Sequence, residues 1–284
     1  LNKWEEGKID ELLDEGEYIQ KRLPNSLPSK DPEHRSKVFS RLVLQGKIGP
    51  ALRAISNSGG GVAAQSPNVL RSLKEKHPEP APIHIPSLLP GSFIPPPSCI
   101  YEQIDADLIR SISLKSHGAA GPSGLDADDW RRLTCSSRAQ KTCQELCETV
   151  ADLAKRLCTE FVDPEALRTF VAGRLVPLEK GANDVRPIGI GETIRRVCAK
   201  AVGNVLRKDI QKAAGTLQVC CGMKGGCEAA IHAMRETFEK EETEAALLID
   251  ASNAFNSIHR ETCLHNISIL CPPLYTFLIN TYRV

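Results

Sequence analysis

Asp250 carries the sharpest chemical signal in this chain. It closes the apolar run Ala245-Ala246-Leu247-Leu248-Ile249 and leads into Ala251-Ser252-Asn253-Ala254-Phe255-Asn256. Five apolar residues in a row read as a strand buried on both faces, or as a buried helix segment, because periodicity does not separate the two. A carboxylate at the end of a buried strand is costly unless it pairs or binds a metal. Two chemistries therefore fit Asp250. It is a hard oxygen ligand for a divalent cation, or it is the N-cap of a helix opening over Ala251 to Ile258.

A second pattern offers cations rather than carboxylates. Gly173-Arg174-Leu175-Val176-Pro177-Leu178-Glu179-Lys180 and Val185-Arg186-Pro187-Ile188-Gly189-Ile190 read as two short strands, with Gly181-Ala182-Asn183-Asp184 as their turn. Lys180 and Arg186 then flank one hairpin tip. A lysine gives a point charge and a guanidinium binds two oxygens at once, so the pair suits a phosphate group as well as it suits plain solvent. The wider segment 168–212 holds ten Lys and Arg against four acids, whereas residues 1–20 hold two lysines against seven acids. A basic segment in a chain of net charge +1 is a candidate phosphate-binding face or a solvated helix face.

The elements that must hold these groups follow from periodicity and punctuation. Residues 1–23 suggest a short acidic helix, and residues 24–33 a Pro- and Ser-rich linker. Two short helices follow, broken at Gly46 to Pro50. Eight prolines between Pro78 and Pro97 forbid helix interior and central strand, and predict extended, loosely held chain. Ile100 to Leu114 fits a strand or a helix. Ala127-Asp128-Asp129 follows a glycine loop and starts a helix, where its charge complements the helix dipole. Residues 141–161 form a helix with the stripe Leu146, Val150, Leu153, Leu157 and Phe161, widened by Cys147, Ala154 and Cys158. Residues 192–212 form another, with Ile194, Val197, Cys198, Ala201, Val202, Val205 and Leu206 on one face.

Composition bounds the setting. A chain of 284 residues with 41% hydrophobic and 25% charged residues has ample material for a core and makes one large or two ordinary domains. Eleven cysteines, without an apolar run that resembles a signal peptide or a membrane span, point to free thiols in a reducing intracellular compartment, nucleus or cytoplasm, and not to secretion. Cys143 and Cys147, and the looser group Cys220, Cys221, Cys227 and His232, lack zinc-finger spacing. Most cysteines read as small buried hydrophobes.

Taken in chain order, four stretches resemble the reverse transcriptases of non-LTR retrotransposons and group II introns. These are the loop Gly118-Ala119-Ala120-Gly121-Pro122-Ser123-Gly124, with Ser123 where the family usually has Asp, the Lys180/Arg186 hairpin with its Arg-Pro-Ile, the glycine-rich turn Cys221-Gly222-Met223-Lys224-Gly225-Gly226, and Asp250-x-x-x-Ala254-Phe255. The resemblance covers about residues 117–284, and more weakly the helical segment from Val38. It implies an α+β fold, with a helical N-terminal region followed by the fingers and a partial palm of a polymerase, an antiparallel sheet backed by helices. The implied divisions are a helical leader over 1–76, a proline-rich linker over 77–99, and fingers and partial palm over 100–284.

The same resemblance implies the site. Asp250 would be the catalytic carboxylate and metal ligand, bridging two Mg2+ ions. Lys180, Arg186, Ala251, Asn253, Ala254 and Phe255 would hold the incoming deoxynucleoside triphosphate, with Phe255 under the sugar. Arg195, Arg196, Lys200, Gly222, Lys224 and Gly225 would lie along the template. The partners are an RNA template, a DNA primer and deoxynucleotides, with no membrane. The second carboxylate pair of the family does not occur after Asp250, where Glu261 is the one acid. The chain thus reads as a fragment of a retroelement reverse transcriptase that binds magnesium weakly or not at all, does not polymerise by itself, and self-associates through an incomplete palm. Two rival readings are a non-catalytic nucleic-acid-binding remnant and a helical scaffold or interaction protein.

Overall fold

The computed structural model describes residues 32–46, 66–79, 81–180, 184–216, 225–240 and 244–282, together with single positions between and before them. The chain divides into two compact units, Leu1–Gly61 and Val62–Val284. In the first, helix α1 spans Pro32–Leu44 and ends in a turn at Gly46, whose φ of 71° suits a residue without a Cβ. The acidic leader helix expected over 1–23 lies mostly outside the described residues.

The second unit is built on helices. These are α2 (Pro67–Glu75), α3 (Ala106–Lys115), α4 (Ala127–Cys135), α5 (Gln140–Thr159) and the single turn α6 (Arg168–Val171). After the hairpin β1 (Gly173–Glu179) and β2 (Val185–Gly191) come α7 (Thr193–Val205), α8 (Arg207–Ala214) and α9 (Gly226–Phe238). The turn α10 (Ala254–Ser257) and the pair α11 (Arg260–Leu270) and α12 (Pro272–Tyr282) complete it. None of the described helices is long and apolar enough to cross a membrane.

Local chemistry explains the helix starts. Asp105 caps α3 by accepting from the Leu108 N–H at 2.8 Å, so the ambiguous stretch 100–114 becomes a 3₁₀ turn and then a helix. Asp126 and Asp129 form a capping box on α4, which is the helix-start role expected of the Asp128-Asp129 pair. Around α5 the core closes. Ile109 of α3, Trp130 of α4, Val197 and Val202 of α7, and Phe277 of α12 join its buried face. That face is centred on Cys147, Ala151, Ala154 and Cys158, whereas Leu146 and Leu153 are half-buried and Phe161 is 61% exposed beyond the helix end. Small residues let four helices approach α5 closely, and the buried Val150 and Leu157 fill the space between them. The ten described cysteines are free, and burial pushes the Cys158 and Cys198 thiols up to about 12.

Three expectations are corrected here. The helix over 192–212 breaks at Leu206, which is fully buried with ψ of 11°, and α8 has no fully buried residue, only Ile210 packing partly on the core. The proline-rich stretch is extended but not loosely held. Asn266 of α11 donates to the Ser87 carbonyl and accepts from the Leu89 N–H, both at 2.9 Å, and Phe93 packs on Tyr275 at 4.8 Å. His259 and His265 donate from Nε2 to the Ala81 and Leu89 carbonyls at 2.7 and 3.0 Å. Prolines leave the strap few internal bonds beyond the short turn Ile85–Ser87, so side chains of the helices bind its remaining carbonyls.

The third correction touches the central stretch. The strand expected over Ala246–Ile249 is not formed. Residues 244–250 are neither strand nor helix, and Leu247, Leu248 and Ile249 are 85, 78 and 85% exposed. A strand exists through its ladder, and the two strands among the described residues pair with each other. The fold is thus mostly helical with one two-stranded antiparallel hairpin, α+β only in that coarse sense.

Candidate functional site

The hairpin is the element that aligns cations. Its register sets Leu178 opposite Arg186 and Glu179 opposite Val185, and the Lys180 N–H donates to the Asp184 carbonyl at 2.7 Å. Side chains alternate along a strand, so Lys180, two residues beyond Leu178, shares a face with Arg186. Arg174 lies on that face as well. Both Lys180 and Arg186 are exposed. The turn residues 181–183 lie outside the described residues. Lys180 stands 3.9 Å from the Asp184 carboxylate, whose other oxygen accepts from the Lys76 ammonium. The Lys76 hydrogen bond, helped by the Val185 N–H and by the charges of Lys76 and Lys180, holds the Asp184 carboxyl below the usual carboxylate range.

The Asp250 loop meets this hairpin through Lys76. Asn253 donates from Nδ2 to the Lys76 carbonyl at 2.8 Å. Its backbone is left-handed, with φ of 52°, and it takes the N-cap position of α10. The N-cap alternative for Asp250 is thereby overturned, because the following turn starts three residues later. Asp250 and Ala251 are exposed, Ala254 is half-buried and Phe255 is 89% exposed. Among the described residues no three His, Cys, Asp or Glu side chains converge to hold a metal ion. The described residues therefore do not build the two-ion magnesium site that the resemblance implies.

Three of the six residues expected along a template, Arg195, Arg196 and Lys200, lie on α7 and hydrogen-bond within the fold, although Lys200 is exposed. Arg195 donates to the carbonyls of Val171 and Thr281 at 3.2 and 2.7 Å, and burial lowers the pKa of its guanidinium. Arg196 donates to the Ala119 carbonyl at 2.6 Å and to Thr193 Oγ1 at 2.8 Å, while its buried Nε has no partner among the described residues. Lys200 reaches Ser116 Oγ at 3.1 Å. Gly225 is left-handed, with φ of 67°, and caps α9. Gly222 and Lys224 lie outside the described residues. The exposed cations of the basic segment are Arg168, those of the hairpin, Lys200 of α7, and Arg207, Lys208 and Lys212 of α8.

One anchor escaped the sequence reading. Glu192 is 7% exposed where β2 turns into α7, and its carboxylate accepts from the Ser123 N–H and Oγ at 2.7 and 2.6 Å. The glycine loop closes over it so tightly that a Cβ on Gly121 would stand 2.8 Å from the Glu192 Cα. The loop thus fixes the base of the hairpin. No protein-family model matches the chain, and no curated protein matches it in sequence.

Proposed function

We propose that this chain is the fingers and part of the palm of a retroelement-type reverse transcriptase, built to hold a deoxynucleoside triphosphate beside a nucleic-acid strand. The observation that supports this best is the hairpin. Lys180 and Arg186 share one of its faces, and its tip is linked through Lys76 to the Asp250–Phe255 loop. A triphosphate carries dense charge, and two exposed cations on one stiff face suit it. In this reading Asp250 contributes one carboxylate to a metal site whose other ligands are not among the described residues. The chain by itself binds nucleotide and RNA without extending a primer.

The test is binding of a fluorescent deoxynucleoside triphosphate to wild type, Lys180→Ala and Arg186→Ala. Each substitution removes a charge-assisted contact and should weaken binding about tenfold. Equal affinity in all three proteins would reject the reading. A second reading, a nucleic-acid-binding module without catalysis, is favoured by the lone, exposed Asp250. Primer extension on a primed RNA template with magnesium should fail under both, so triphosphate binding separates them: the module without catalysis holds RNA but no nucleotide. Extension that Asp250→Ala abolishes rules out the second reading, and would show that a further carboxylate, Asp128 or Asp129, reaches the site.

A further inference from the structure

Lys76 lies outside every motif that carries the functional reading, yet it touches two of them. It is the C-cap of α2, a helix that starts at the Ser66 cap and Pro67 and buries none of its own residues. Its ammonium donates to Asp184 Oδ1 and to the Val185 carbonyl at the turn end of β2. Its carbonyl accepts from Asn253. A left-handed backbone at a non-glycine residue persists where its surroundings hold it. Asn253 is so held, because its Oδ1 accepts from Asn256 Nδ2 at 2.9 Å and its carbonyl accepts from the Asn256 and Ser257 N–H groups at 3.1 Å.

The charges at the tip are unequal partners. Asp184 has two oxygens and two lysines within reach. Lys76, 25% exposed at its side chain, takes Oδ1. Lys180, 55% exposed, stands off at 3.9 Å from Oδ2. Without Lys76 the carboxylate would keep its charge and draw Lys180 into a close pair, four residues away on the same face.

We propose that Lys76 is a positioning residue for Lys180: by occupying Asp184 and tying the hairpin tip to Asn253, it leaves the Lys180 ammonium free to meet a triphosphate. The inference rests on the polymerase-type reading above and names a residue to which the resemblance assigns no role. It makes an unusual demand of mutagenesis. Lys76→Met should weaken binding of a fluorescent deoxynucleoside triphosphate about tenfold, because Lys180 is then captured. Lys76→Arg should stay within about twofold of wild type. Asp184→Asn added to Lys76→Met should restore binding, although it removes yet another contact from the tip.

A residue that only braces the fold predicts the reverse, with the double variant as weak as Lys76→Met or weaker. That result, at an unchanged unfolding midpoint, would overturn the proposal. If wild type binds no triphosphate, the functional reading fails by itself and the lysine exchange is read directly. In Lys76→Met the Lys180 ammonium should give a slowly exchanging, hydrogen-bonded nitrogen resonance that vanishes in the double variant. Its absence would refute the role assigned to Lys76.

Discussion

Asp184 and Asn280 show how much one polar side chain can decide. The folded-state pKa of Asp184 is depressed, chiefly by the Lys76 hydrogen bond. A depressed carboxyl stabilises the fold at pH values above the unfolded pKa, and that contribution is lost as pH falls through the folded value. The Lys76–Asp184 pair should therefore persist as the solution is acidified through the ordinary carboxylate range of about 4 and break only below it. Carboxyl carbon shifts against pH should place the Asp184 midpoint below that of a free aspartate, and Lys76→Met should move it up. An unmoved midpoint would mean that Lys76 is not the cause. Asn280 is 3% exposed, donates to the Leu157 and Glu160 carbonyls at 2.9 and 2.6 Å, and accepts from the Val162 N–H at 3.0 Å. It thus ties α12 to the end of α5. Asn280→Leu removes three hydrogen bonds to the backbone and should cost about 2 to 4 kcal/mol in urea unfolding. A loss under 1 kcal/mol would show that water replaces it. Glu192 belongs at this scale too. The rule that picked out Asp250, an acid just after an apolar strand, fits Glu192 after Ile188-Gly189-Ile190-Gly191, and there the buried partner is Ser123.

Elements with strong local signals were legible, and those that depend on a distant partner were not. The hairpin, the capped start of α4 and the span of α5 follow from turn residues, carboxylates and apolar periodicity in their own sequence. The break at Leu206 and the docking of the proline strap do not, because each is made by residues far away in the chain. The Ala245–Ile249 run misled for the same reason: its composition is that of a strand, but a ladder needs a neighbour that periodicity does not reveal. Predictions for the elements divide accordingly. Leu157→Ala empties space in the core near the end of α5 and should destabilise the fold by about 2 to 5 kcal/mol, measured by thermal or urea unfolding. Phe161→Ala, at an exposed ring, should stay within about 0.5 kcal/mol. Comparable losses at the two positions would place the buried face of α5 where the larger residues lie. Thiol chemistry gives a second test, since alkylation of the native protein should mark Cys99 and Cys227 and spare Cys158 and Cys198.

At the scale of the whole molecule, charge and exposed apolar surface pull in different directions. The net charge of +1 gives little long-range attraction for nucleic acid, so binding must come from the local cations on the hairpin and α8. Affinity for single-stranded RNA should fall steeply between low and moderate salt, as counterion release requires. A salt-independent affinity would point away from a phosphate-binding face. Leu247, Leu248 and Ile249 stand exposed beside the site, and Ile231, Met234 and Phe238 are exposed along α9. Apolar surface of this kind seeks a partner. Sedimentation at rising protein concentration should reveal self-association that Leu248→Lys weakens. A monomer at all concentrations would mean that these residues do not join copies of the chain.

The proline strap also fixes an order of events in time. Ala81, Ser87 and Leu89 bond to His259, Asn266 and His265 across 178, 179 and 176 residues of sequence. During synthesis at about 5 to 20 residues per second, the strap leaves the ribosome roughly 10 to 35 s before its binding partners exist. A β-competent segment would spend that interval as a sticky edge. Eight prolines between Pro78 and Pro97 leave this one with few backbone donors to offer a neighbouring chain. The composition that denies the strap a ladder of its own thus lets it wait unpaired for the last helices to be made.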